Sequence, residues 1–191
     1  MQRFSSLLIL ILISILAQSF VVPPIHDVNE DYRPAQKIEL PGFKNLYKID
    51  DSLYRSEQPS KKGMMQLQKL GIKTVLNFRN HHNDKNEVIR AQLLIERLAL
   101  NTNKITYADI VKTLKVMKKA KKPILIHCLH GSDRTGCMIA AYRLVYNNYT
   151  KEQAIAELTA PEFGYHKKWF PNIIQLLKGV DVEQLKKDIG V

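Results

Sequence analysis

A chain of 191 residues with 29 Lys and Arg against 18 Asp and Glu carries a formal charge of +11. That length suits one compact domain with one core and one site, and two cysteines leave no disulfide framework to hold the fold. The basic excess favours anionic substrates or surfaces. Its densest run, Lys112 to Lys122, falls on the face and C-terminal end of an expected helix, where the dipole welcomes cations; no nucleic-acid module accompanies it, so no nucleic-acid partner is expected.

The N-terminus reads as a secretory signal over residues 1–19. Arg3 precedes an apolar stretch over 7–17, and small residues at Ala17 and Ser19 suit a signal peptidase. The apolar core is shorter than the roughly 20 residues of a spanning helix. The expectation is therefore an exported protein, periplasmic or secreted, with no stable membrane insertion after cleavage. Residues 20–42 hold several prolines and charges without periodicity and read as an extended lead-in to a domain over 43–191.

Two short strands are expected at 46–49 and 53–55 around an Asp50-Asp51 turn. Ser60 caps a helix over 61–70 that Gly71 stops. Residues 72–78 (IKTVLNF) read as a buried strand, 84–91 as a helix, and 93–100 as a strand by their position between two helices. Thr106 opens a helix to 120, with Asp109 in the capping-box position. A short buried strand follows at 124–127, then helices over 135–146, 150–158, 169–178 and 181–188. This alternation predicts an α/β fold with a short, mainly parallel central sheet flanked by helices.

The segment HCLHGSDRTG sets Cys128 at the end of a buried strand and Arg134 just before a helix, with glycines at 131 and 136 for sharp turns. In an open α/β sheet ligands bind at such strand ends. Loop amides entering a helix N-terminus converge on an anion, so the backbone of Leu129, His130, Gly131, Ser132, Asp133 and Arg134 is expected to bind phosphate. The same setting favours a thiolate at Cys128. Arg134 offers a planar fork for two phosphate oxygens. Thr135 can donate its hydroxyl to the sulfur, and His127 is expected to orient the loop. Cys137, inside an apolar helical pattern, reads as a packed thiol.

The string His127-Cys128-x-x-Gly131-x-x-Arg134-Thr135-Gly136 resembles the signature of the protein tyrosine phosphatase superfamily, and the short chain resembles its dual-specificity branch. LYRSEQP (53–59), VLNFR (75–79) and AYRLVYNNYTKEQAIAEL (141–158) are similar to stretches of small exported bacterial dual-specificity phosphatases. The resemblance implies a phosphomonoester hydrolase with Cys128 as nucleophile, a phosphocysteine intermediate, and no metal or other cofactor.

In that family an aspartate upstream of the signature protonates the leaving oxygen. Here the corresponding loop, residues 101–105 (NTNKI), has no carboxylate. Asp133 is favoured as the acid because it lies in the loop, an arrangement similar to the myotubularin-type phosphoinositide phosphatases; Asp109 and Asp84 are the alternatives. His130 could face substrate, and His166, Lys167, Lys168 and Trp169 could border the pocket or simply be solvated. A phosphorylated protein is the expected substrate. The alternatives are a phosphoinositide or inositol phosphate substrate, and a phosphate-binding module with weak or lost catalysis.

Overall fold

The computed structural model describes residues 33–191. The expected signal over 1–19 and the first part of the lead-in lie outside the described residues. Within them the strands are β1 (Gln36–Lys37), β2 (Tyr47–Lys48), β3 (Leu53–Ser56), β4 (Thr74–Asn77), β5 (Leu94–Arg97) and β6 (Ile124–His127). The α-helices are α1 (Lys61–Lys69), α2 (Tyr107–Lys119), α3 (Asp133–Tyr146), α4 (Lys151–Thr159), α5 (Pro171–Gly179) and α6 (Val182–Ile189).

The strands form one sheet in the order β1-β2-β3-β6-β4-β5. The first three pair antiparallel, whereas β3, β6, β4 and β5 run parallel. Every residue of β3, β4 and β6 is buried, as expected of parallel strands covered on both faces. Side chains alternate between two cores. Leu76, Ile124 and Ile126 face the cluster built with α2, α3 and α6, while Val75 and Leu125 face α1 through Met64 and Leu67. This matches the fold class read from the sequence.

Helix α3 is buried almost all round, from Thr135 through Val145. Such a helix has no polar face to turn to water, so its one buried cation needs a partner. Arg143 donates from Nε and Nη2 to the two oxygens of Glu157 on α4, at 2.8 and 3.0 Å.

Two expectations differ from the structure. Residues 84–91 form turns rather than a helix. Asp84 has φ +60° and directs its carboxylate at His127 and Gln58, so the chain cannot start a right-handed helix there. The lead-in becomes regular at residue 36, where β1 pairs with β2, and Tyr149 Oη donates to Arg33 O at 2.8 Å.

Candidate active site

The parallel strands end on one side of the molecule. There Glu57 and Gln58 follow β3, Phe78 to Asp84 follow β4, Leu98 to Asn101 follow β5, and Cys128 to Ser132 connect β6 to α3. The backbone of this last loop is turned in one sense. Cys128 O accepts from His127 Nδ1 at 3.1 Å, Leu129 O from Gln58 N at 3.1 Å, His130 O from Asn45 Nδ2 at 2.8 Å, and Gly131 O from Arg55 Nη2 at 2.5 Å. Ser132 O accepts from Gly136 N at 2.8 Å, the first bond of α3. Among the described residues, no acceptor takes a hydrogen from the amides of residues 129–135. Each carbonyl is tied outward, which leaves the amides to converge on the mouth of the loop.

The helix behind them is left open in the same way. Ser60, Thr106, Thr150 and Asp181 cap α1, α2, α4 and α6 with side-chain hydrogen bonds, but Ser132 makes none to α3. An uncapped N-terminus under a ring of free amides is an anion site. Gly131 makes the close turn possible: its φ is +75°, and a Cβ there would stand 2.6 Å from Ser56 C and O.

Cys128 is buried at the base of this loop, 2% exposed. Arg134 projects from the first turn of α3, and its Nη1 donates to Phe78 O at 3.2 Å. Thr135 is fully buried and its hydroxyl has no hydrogen-bond partner among the described residues, so the expected bond to the thiol is not formed. Cys137 sits in the core, where burial pushes its thiol up to about 12, and it is inert at neutral pH.

His127 lies behind the loop and bonds to it. Its Nε2 donates to Asp84 Oδ2 at 2.9 Å and its Nδ1 to Cys128 O. Both ring nitrogens therefore face oxygen acceptors, one on the supporting carboxylate and one on the loop itself. Burial alone would raise the Asp84 carboxyl. The hydrogen bond and charge of His127, with Gln58 and His82, outweigh burial and hold it below the usual carboxylate range. Asp84 is thus a buried support of the loop, not an acid facing a leaving group.

The other carboxylates are also accounted for. Asp109 Oδ2 accepts from Thr106 N and Oγ1 at 2.9 and 2.8 Å in a capping box. Asn101 caps a short 3-10 turn, Thr102–Lys104, by accepting from Asn103 N. Asp133 accepts from His166 N at 2.9 Å through Oδ1 and from His166 Nδ1 at 2.9 Å through Oδ2. This ties the residues around 166 to the loop. The His166 ring stacks on Trp169, with centroids 5.0 Å apart and planes 6° apart, and lies 5.9 Å from the His130 ring. Trp169 is 70% exposed.

Arg55 was not legible as a site residue. It is fully buried, donates to Gly131 O and stacks on Phe163 at 4.3 Å. Burial pulls its guanidinium down to about 10, which leaves it cationic at neutral pH beneath the loop. The available signal was an arginine at a strand position flanked by buried neighbours, LYRS. Asn45, held by Glu57, carried no such signal.

Comparison with known proteins agrees with this geometry. The family model of the dual specificity phosphatase catalytic domain matches residues 53–177. The chain belongs to that family. Among dual specificity phosphatases, the protein phosphatase TpbA of Pseudomonas aeruginosa is 28% identical over 181 residues, covering 93% of this chain and 82% of TpbA. The crystal structure of a Cys-to-Ser variant of TpbA in complex with pTyr matches with a TM-score of 0.73 at 28% identity, covering 82% of this chain and 95% of that one. Inositol diphosphatase DSP5 of Arabidopsis thaliana is 26% identical over 162 residues, covering 75% of this chain and 72% of DSP5. As a dual specificity phosphatase the chain is a cysteine-dependent phosphatase.

Proposed function

We propose that this phosphatase hydrolyses phosphotyrosine in proteins, with Cys128 as nucleophile and Arg134 as phosphate clamp. The observation that carries the reading is the loop with its carbonyls tied outward and the amides of 129–135 left for an anion. In the first step the Cys128 thiolate attacks phosphorus, the P–O ester bond breaks, and its electrons go to the leaving oxygen. In the second, water attacks the phosphocysteine, phosphate leaves, and the thiolate is restored. The amides and the Arg134 fork follow the equatorial oxygens as the phosphoryl group flattens. The Thr135 hydroxyl, buried without a hydrogen-bond partner among the described residues, is assigned to donate to the sulfur in both steps.

The proton for the leaving oxygen is assigned to Asp133 acting with His166. Asp109 and Asp84 are engaged elsewhere, and the Asp133 carboxylate holds His166 Nδ1. An imidazole oriented by a carboxylate at the rim can give a proton and take one back from water.

Phosphotyrosine is supported by the pTyr complex of TpbA. Inositol phosphates are the second reading, favoured by His130 and His166 beside the loop, by Lys167 and Lys168 next to His166 in the chain, and by the name of DSP5. Measuring kcat/KM on a phosphotyrosine peptide, a phosphoserine peptide and an inositol polyphosphate decides between them. The proposal requires the first to be highest. A higher value for the inositol polyphosphate selects the second reading, and binding of orthovanadate without turnover of any selects a phosphate-binding module.

Export is part of the same proposal, supported by the pattern of residues 1–19. N-terminal sequencing of the protein recovered from outside the cytoplasm should begin at Phe20. Recovery from the cytoplasm with Met1 intact would remove export.

A further inference from the structure

The connection between β4 and β5 carries a second cluster, on the far side of Asp84 from His127. His82 Nε2 lies 3.3 Å from Asp84 Oδ1 and 3.3 Å from Glu87 Oε2. One donor atom from each of the three residues falls within 4.8 Å of the others. His82 Nε2 and Glu87 Oε2 are buried and make no hydrogen bond among the described residues. We propose that His82, Asp84 and Glu87 form a site for a divalent cation of the zinc type, joined through Asp84 to the loop that holds Cys128.

The two spacings from His82 fit a tetrahedral ion. With bonds of about 2.0–2.1 Å from imidazole nitrogen and carboxylate oxygen to zinc, the edge between two ligands is about 3.3–3.4 Å. Imidazole nitrogen and carboxylate oxygen are both ligand types that zinc takes, and three of them leave one tetrahedral position open. Asp84 Oδ1 also accepts from Gln58 Nε2 at 2.7 Å, and its second lone pair remains for an ion.

The ligand loop is already held in shape. Arg97 Nε donates to Arg79 O and His82 O, each at 3.1 Å, and Arg97 Nη2 donates to Asn80 O. Asn77 Nδ2 donates to His82 O at 3.0 Å, and Glu87 N to Asp84 O at 3.1 Å. A loop fixed before binding loses little ordering entropy when the ion arrives.

The join to the active site is a single carboxylate. Asp84 faces the cluster with Oδ1 and accepts from His127 Nε2 with Oδ2, as carboxylates that ligate metals are in turn hydrogen-bonded by their surroundings. The ion takes no part in the phosphocysteine chemistry. It bears on the residue that orients the nucleophile's loop.

The test is calorimetric titration of zinc chloride into the full chain carrying Cys128→Ser, so that the active-site thiol cannot serve as a ligand. One equivalent should bind, and His82→Ala and Glu87→Gln added singly should each weaken binding by about tenfold or more. Thermal unfolding without zinc shows whether these variants keep the parent's fold; zinc should raise the midpoint of the parent and not that of the His82→Ala variant. In the same samples the His127 Nε2 proton resonance should move on zinc addition only where the cluster is intact. Absence of binding, or binding unchanged by both substitutions, overturns the site. A bound ion that leaves the resonance unmoved overturns the join to His127. Because the nucleophile is absent throughout, the result is independent of the phosphatase reading.

Discussion

Gly131 tests the anion cradle at the smallest scale. Its left-handed φ and the 2.6 Å approach of a Cβ to the Ser56 backbone leave no room for a side chain without moving the loop. Gly131→Ala should therefore lower kcat/KM by about 100-fold, the cost of displacing reacting groups by an ångström or so, while Cys128 and Arg134 are retained. Assaying the purified variant on an aryl phosphate checks this, and an unchanged rate would mean that the loop geometry does not govern turnover. The proton donor is tested at the same scale. Asp133→Asn and His166→Asn should each lower turnover of phenyl phosphate by about 100-fold but that of para-nitrophenyl phosphate by less than about tenfold, since an acidic leaving group needs little protonation. Equal losses on both esters would take the acid role from the pair.

Among the elements, α3 combines an open N-terminus with a body sealed in the core. The Arg143–Glu157 pair fastens it to α4, and Arg143 Nη1 also reaches Ile49 O at 3.3 Å. Glu157→Ala leaves a buried cation without its partner and should cost about 3–5 kcal/mol in urea unfolding. The double substitution Arg143→Met with Glu157→Leu removes both charges and should cost less than that single change. A double variant less stable than the single one would show that the pair contributes net stability.

The elements were mostly legible because period-2 and period-3.6 patterns report burial directly. Strand 93–100 was read by position and appears as β5, and the caps at Ser60, Thr106 and Thr150 stand where the side-chain chemistry put them. The turns at 84–91 were misread because Asp84 bonds to His127, 43 residues away, a contact that local propensity cannot contain. The loop 128–134 was legible from residue types alone. Its supports, Asn45, Arg55 and Gln58, were not given roles, since each acts on a backbone carbonyl that any residue could supply. Asp133 was chosen as acid by its place in the chain; its partner His166 comes from a separate turn, 33 residues on.

For the whole molecule, a formal charge of +11 attracts anions in general, and the uncapped N-terminus of α3 draws them to the ends of the parallel strands. Raising salt shortens the screening length to about 8 Å near 0.15 M. With a doubly charged aryl phosphate, kcat/KM should then fall several-fold between low and physiological ionic strength, chiefly through KM. A flat salt profile would assign the basic excess to solubility alone. The central claim is that all of this structure serves one nucleophile. Acid quenching of the full chain during turnover of para-nitrophenyl phosphate, with chelator present, followed by peptide mass analysis, addresses it most directly. The account predicts a phosphoryl group on the peptide bearing Cys128 and neither adduct nor turnover in Cys128→Ser; turnover that persists in that variant would contradict it.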